Sequence, residues 1–262
     1  MLLSQLEQFA VAERLEQSGR ASDRVWVLGA VTGLLCTLIA AYLCPFPASA
    51  SGKWWAYAGL LIRGALYLWA GDALRGRGGE ILVRLFKMGL VAGVFEILVD
   101  WWLVHGVSSG RLVYLTGNDV VLLGSPIWMP LAWACVIVEL GYPALRLLGW
   151  RARQWGMMPT LAAASLACGA GAAVMVGAYE YFAARAGWWR YAPARAMLGG
   201  SCALYIPLGE GLMFLTLPLL ALPVVAADER PLAAVIVGGA RFAVAIAVGY
   251  VLAYVLLEHG GW

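Results

Sequence analysis

The sequence predicts an all-α, polytopic membrane protein of about seven transmembrane helices, preceded by a short N-terminal interfacial helix. Three observations carry that expectation. Of 262 residues, 63% are apolar and 13% charged, against roughly 45–50% and about 25% in an ordinary soluble domain. The apolar residues gather into seven stretches, each near the ~20 residues that a bilayer demands of a spanning helix. Lys and Arg favour one set of the alternating connections, as insertion requires. A soluble enzyme and a disulfide scaffold are excluded. The net charge is only +3, with no basic run interleaved with aromatics, so no nucleic-acid partner is expected. The five cysteines, Cys36, Cys44, Cys135, Cys168 and Cys202, contain no Cys-x-x-Cys pair and read as small core residues.

Residues 1–24 form the amphipathic interfacial segment and residues 25–262 a single transmembrane helical domain. In the first, Leu2, Leu6 and Phe9 recur at helical spacing opposite Glu7, Glu13 and Glu16. It lacks the basic start, apolar run and small-residue site of a secretory signal, so it is expected to be retained. The spans follow at 25–44, 54–70, 81–104, 126–148, 160–184, 202–225 and 232–257. The second is the shortest and contains Arg63; six spans with a tilted or re-entrant segment are the structural alternative.

With the N-terminus inside, the cytoplasmic set holds Arg14, Arg20, Arg24, Arg75, Arg77, Arg84, Lys87, Arg146, Arg151, Arg153, Arg230 and Arg241. The outer set holds only Lys53, Arg111, Arg185, Arg190 and Arg195. That bias predicts the inner (plasma) membrane, a cytoplasmic N-terminus and a C-terminus outside. Small residues at four-residue spacing, Gly29 with Gly33, Gly89 with Gly93, and Gly169 with Ala173 and Gly177, allow close helix approach in lipid.

Spans three and four read Phe95, Glu96, then Trp101, Trp102, Arg111, Tyr114, then Trp128, Met129, Pro130, Leu131. Spans five and six echo that order with Tyr179, Glu180, then Trp188, Trp189, Arg190, Tyr191, then Tyr205, Ile206, Pro207, Leu208. Both pairs run from inside to outside and back, which predicts a parallel repeat about an axis along the membrane normal.

The residues that most need explaining are acids within spans: Glu96, Asp100, Glu139, Glu180 and Glu210. An acid at mid-membrane costs about 2.5–3.5 kcal/mol on an insertion scale. Glu96 and Asp100 lie four residues apart on one helical face, where sharing a proton costs less than two adjacent charges. The topology brings Glu96, Asp100, Glu180 and Glu210 into the outer half of the bilayer as candidate catalytic groups. At the same depth stand Trp101, Trp102, His105, Trp128, Trp133, Tyr179, Trp188 and Tyr205 as candidate substrate-binding walls. Interfacial enrichment explains Trp and Tyr equally well at many of these positions. Ion pairs of Glu180 with Arg185, or of Asp100 with His105, are the structural reading of those acids. Glu139 is expected to satisfy a neighbouring helix or Arg63.

His105 and His259 are the only histidines, too few for a di-iron centre or a bis-His haem. The only lysines, Lys53 and Lys87, lie outside the last span and supply no retinal Schiff base there. No metal and no cofactor is expected. Carboxylic acids beside aromatic faces suit protonation of an alkene, because an acid can supply the proton and π-faces stabilise the resulting cation. A pocket within the bilayer rations water and admits a lipid-soluble polyene.

The run from Glu96 to Trp102, then Arg111-Leu112-Val113-Tyr114 and Ser125-Pro126-Ile127-Trp128-Met129-Pro130-Leu131-Ala132-Trp133, and later Gly187-Trp188-Trp189 with Tyr205-Ile206-Pro207, resembles the integral-membrane carotenoid hydratases. More distantly it resembles the membrane lycopene cyclases and small membrane terpene cyclases. The likeness covers roughly residues 90 to 215. It implies an all-helical enzyme of isoprenoid or carotenoid metabolism, with Glu96, Asp100, Glu180 and Glu210 as the matching acids. The Pro-x-Glu-Glu element of the cyclases is replaced by Pro207-Leu208-Gly209-Glu210, which leaves hydration and cyclisation both open. The sequence also resembles a group of uncharacterised bacterial membrane proteins. The expected partners are membrane lipids and an apolar isoprenoid-type ligand, in a homo-oligomer or a larger membrane complex. Two other functions fit the same residues: a proton-coupled transporter or permease, and a non-catalytic accessory subunit that binds lipid, quinone or pigment.

Overall fold

A computed structural model describes residues 13, 15–16, 19–47, 51–115, 119–228 and 230–259. Its helices are α1 (Arg20–Leu43), α2 (Gly52–Ala73), α3 (Gly79–Trp101), α4 (Met129–Trp155), α5 (Met157–Ala186), α6 (Tyr205–Phe214), α7 (Leu217–Ala226) and α8 (Pro231–Tyr254). Prolines stand in the first turns of α4, α7 and α8, where the missing N–H costs nothing. A single π-turn, Trp102–Gly106, continues α3, and another, Val255–His259, continues α8. Gly156 joins α4 to α5 at φ +84°, a backbone state open to glycine and closed to most other residues.

Five helical stretches are long and apolar enough to cross a membrane: α1, α4, α5, the α6–α7 rod over Tyr205–Ala226, and α8 with its π-turn. The chain is an all-α membrane protein, and by this measure the count is five where the sequence reading has seven. Helices α2 and α3 fall short because Arg63 and several aromatics dilute the first, and Arg84, Lys87, Glu96 and Asp100 the second. The predicted interfacial helix rests on Leu2, Leu6, Glu7 and Phe9, outside the described residues. Leu15 is buried against Gly149 of α4, where Arg146 donates to its carbonyl, and Arg153 meets Glu13 and Glu16 at 3.5 and 3.4 Å.

Between the helices at one end lie short strands that no apolar pattern foretells. Strand β1 (Leu112–Tyr114) pairs antiparallel with β4 (Trp189–Tyr191), matching Leu112 with Tyr191, Val113 with Arg190 and Tyr114 with Trp189. Two small hairpins, β2 (Val121–Leu122) with β3 (Ser125–Pro126) and β5 (Met197–Leu198) with β6 (Cys202–Ala203), follow them in the chain. The pairing satisfies backbone groups of connections that sit over the membrane-embedded core.

Small residues set the helix spacing. A Cβ on Gly89 would lie 2.5 Å from Ala134 Cα, and one on Gly93 2.6 Å from Pro130 Cα, so α3 and α4 touch backbone to backbone. In α5, Gly169 meets the Gly211 carbonyl at 2.7 Å by the same construction, and Gly177 faces Pro207. Helix α8 seats Gly239 on Val91 and Met88 of α3, and Gly249 on the Gly209 carbonyl of α6. The two buried arginines are paired: Arg63 meets Glu139 at 2.5 Å, as expected, and Arg146 meets Asp23 at 2.9 Å.

One correction concerns charge placement. Arg241, grouped above with the cytoplasmic basic residues, lies well inside α8 and is exposed there.

Candidate functional site

Close approach of α3, α4, α5, α6 and α8 leaves a cavity of about 90 Å³ beneath the β1–β4 pair. Liquid water takes ~30 Å³ per molecule, so the space equals about three waters or the end of a larger apolar molecule. Glu96 and Asp100 from α3, Glu180 from α5 and Glu210 from α6 all line it. Each is at most 6% exposed. No Lys, Arg or His is among the lining residues, so the four acids face one another without a countercharge.

Their hydrogen bonds divide them into two kinds. Asp100 Oδ2 accepts from Ser125 Oγ at 2.6 Å and from the Tyr114 hydroxyl, and Glu180 Oε2 accepts from the Trp189 indole. Burial and the adjoining carboxyls push the Tyr114 and Tyr191 phenols well above their usual range, so both remain donors. Glu210 is only half satisfied: Tyr250 donates to its Oε1 at 2.5 Å, while its Oε2 is buried without a partner. Oε2 of Glu96 is likewise buried and unpartnered. An orphaned carboxyl oxygen is costly in any interior, and costlier where no water is at hand. Two such oxygens belong to residues that line this one cavity.

The walls are aromatic. Trp189 stands at the centre, with ring centroids 5.8–6.1 Å from Tyr179, Trp128, Trp188 and Tyr114. Trp133 stacks on Phe214 at 6.3 Å and also lines the cavity. Tyr191 and Tyr250 complete the polar rim, and Leu103, Val136 and Val176 the apolar floor.

Of the residues singled out from sequence, the four acids, Trp133 and Tyr179 meet at this cavity. The other six do not line it. Trp101 is 47% exposed and packs against His105, which is exposed as well. Both follow the acid-bearing face of α3 out of register: Trp101 is one residue, or about 100°, past Asp100. Trp102 packs on Tyr254, and Trp128 backs Trp189 while donating to Asp119 at 3.3 Å. Trp188 donates to the Gly52 carbonyl at 2.9 Å, and Tyr205 to the Gly110 carbonyl at 2.9 Å. Trp128, Trp188 and Tyr205 act as supports, because their polar atoms are already committed, the first to Asp119 and the other two to backbone carbonyls.

The ion pairs allowed for Glu180 and Asp100 are replaced by neutral donors, with Arg185 lying over the rings of Tyr42 and Tyr181 instead. Tyr114, Trp189, Tyr191 and Tyr250 also line the cavity; Trp189 and Tyr191 are expected at that depth from the sequence, whereas Tyr114 and Tyr250 are not. The first three stand in the connections whose repeat was legible. Tyr250 had one signal, a phenol in a span whose other residues are nearly all apolar. Among the described residues, no group of three or more His, Cys, Asp or Glu is placed to hold a metal ion.

Helical membrane architecture and an internal carboxyl-lined cavity define the class: a polytopic membrane protein with a buried polar site. A family described as a domain of unknown function, DUF6989, matches residues 97–257, more than half of the chain, and the protein belongs to it. The matched stretch contains Asp100, Glu180, Glu210 and Tyr250 and begins one residue after Glu96. No curated protein and no solved structure matches the chain significantly.

Proposed function

We propose that this protein is a membrane enzyme that protonates an alkene at the end of an isoprenoid or carotenoid chain. The observation that carries the reading is the meeting of four carboxyl groups from three helices on one aromatic-walled cavity, with Glu96 Oε2 and Glu210 Oε2 unpartnered. Glu96 is the proton donor, since its neighbour Asp100 is held as an acceptor by Ser125 and Tyr114. The carboxyl proton passes to one alkene carbon, the π pair forms the new C–H bond, and the cation left on the other carbon faces Trp133 and Trp189. Water then adds through its oxygen and yields a proton to Glu210, and return of that proton to Glu96 across the cavity restores both groups, so that the net change is addition of H₂O; capture by a second alkene with later proton loss gives cyclisation instead. A cavity of about 90 Å³ takes an end group and leaves the rest of a long polyene among the helices or in lipid.

In this reading seven segments cross the inner membrane, because the mid-span charges of α2 and α3 are internal, with Arg63 paired with Glu139 and Glu96 and Asp100 facing the cavity, while Arg84 and Lys87 open onto the charged cleft at the basic end. The α3–β1–hairpin–α4 and α5–β4–hairpin–α6 units form the parallel repeat, with Gly89/Ala134 and Gly93/Pro130 matched by Ala173/Gly211 and Gly177/Pro207. The basic end faces the cytoplasm and the cavity lies toward the outer leaflet.

The test is extraction of the purified protein with organic solvent, followed by assay of the bound molecule. A co-purifying polyene, turned over by the wild type and not by Glu96→Gln, supports the reading. Turnover retained in Glu96→Gln overturns the assignment of the donor, and proteoliposome flux driven by a pH gradient favours a transporter.

A further inference from the structure

We infer that the outward face of α8 is a docking seam for a transmembrane helix of a different protein, one that carries a carboxylate at mid-membrane depth. The seam is Val237, Arg241, Val244, Val248, Val251 and Val255, spaced alternately by four and three residues and exposed at every position. Such spacing lets one helix lie along another. Valines alone would mean nothing in lipid, whose tails are equally apolar. The arginine decides the matter.

Arg241 is the eleventh residue of α8, ~15 Å along the axis from Pro231 at 1.5 Å per residue. That is about half of the ~30 Å hydrocarbon layer. An independent marker agrees: Gly239, two residues earlier, packs on Met88 and Val91 at the middle of α3. A guanidinium facing lipid there costs at least about 2.5–3.5 kcal/mol, and snorkelling relieves such a charge only near a helix end. Among the described residues nothing bonds or pairs with Arg241.

Among the described residues, no acid at mid-span in a second copy is accessible to supply the missing anion. Glu96, Asp100, Glu180 and Glu210 are buried on the cavity, and Glu139 is held by Arg63. Two copies meeting through this face would set arginine against arginine. The complement is therefore an Asp or Glu in an apolar span of another chain. Lys87 is also exposed, but it opens onto a charged cleft lined by Asp72, Glu80 and Asp228 at the basic end of the molecule.

A photo-crosslinking residue in place of Val244, in the full chain within its native membrane, tests the seam. The expected adduct joins Val244's position to a span of a second protein that contains an Asp or Glu. Its yield should fall at least about tenfold, or ~1.4 kcal/mol, in Arg241→Leu, remain unchanged in Lys87→Leu, and return when Arg241→Glu is combined with arginine in place of the partner's carboxylate. Adducts only to lipid, adducts to a second copy, or a yield indifferent to Arg241→Leu would each overturn the proposal. So would a lowered thermal midpoint of isolated Arg241→Leu in detergent, which would assign the arginine to the chain's own fold.

Discussion

Glu96 and Glu210 differ from the other cavity acids in one respect that can be measured: each holds a buried oxygen with no partner. A group left in that state retains its shape when made an amide but loses its transferable proton. Glu96→Gln is therefore expected to cut turnover by about 10²–10⁴-fold, the usual contribution of a general acid, with the thermal midpoint in detergent little changed. Tyr250→Phe should behave differently. It strips the donor from Glu210 Oε1, leaves both oxygens unpaired and costs about 1–3 kcal/mol of stability. Thermal unfolding would read that loss, and an unaltered midpoint would show that the Tyr250 bond is dispensable. Arg63 and Glu139 give the contrast. Removing one partner, as in Glu139→Leu, strands a buried charge at about 3–5 kcal/mol, whereas Arg63→Met with Glu139→Leu should recover most of that. A double variant as unstable as the single would mean that the pair serves more than its own charge balance.

At the scale of elements, the carboxyls are placed by helix contacts too close for any side chain larger than glycine. Gly93 is the most exposed to test, since its Cβ would fall 2.6 Å from Pro130 Cα and 3.0 Å from the Pro130 carbonyl oxygen. Backbone cannot yield as a flexible side chain can. Gly93→Leu should force α3 from α4, destabilise the protein by about 1–3 kcal/mol or more, and separate Glu96 from Trp133 across the cavity so that activity falls further than stability does. Activity that merely tracked the folded fraction would count against this geometry. How much of this arrangement the sequence discloses follows from what each feature costs. The acids are legible because apolar residues would be cheaper at those depths, and the glycines because their spacing is helical. The direction of the aromatics was legible in principle: following the register of α3 past Asp100 sends Trp101 and His105 away from the acid face, while Trp133 shares a face with Met129, Ala132 and Val136. The β1–β4 pair was not. Three-residue strands in Gly- and Pro-bearing connections leave too short a period to read, and their partners lie 77 residues apart in sequence. Tyr250 escaped for a related reason, because its role is fixed by Gly249 seating α8 on α6, a contact between distant elements.

For the whole molecule, the side of the membrane that the cavity faces has chemical consequences. The helices alternate, so the basic connections around Arg75, Arg77, Arg151, Arg153 and Arg230 gather at one end and the paired strands at the other. Basic segments are retained on the cytoplasmic side, so in the orientation proposed above the cavity lies toward the outer leaflet, and the proposed substrate and its water would reach it from there. Native cysteines interfere little with a test, since Cys36, Cys135, Cys168 and Cys202 are buried and Cys44 is partly so. With Cys44→Ser as background, Val121→Cys places a thiol on the strand end at a position 54% exposed. Arg75→Cys places one on the basic end, where the side chain is 82% exposed. In right-side-out vesicles an impermeant maleimide should label Val121→Cys at once and Arg75→Cys only after permeabilisation. The reverse pattern would turn the molecule over, make the cytoplasm the source of water and protons for Glu96, and require an intracellular pool of substrate in place of one held in the outer leaflet.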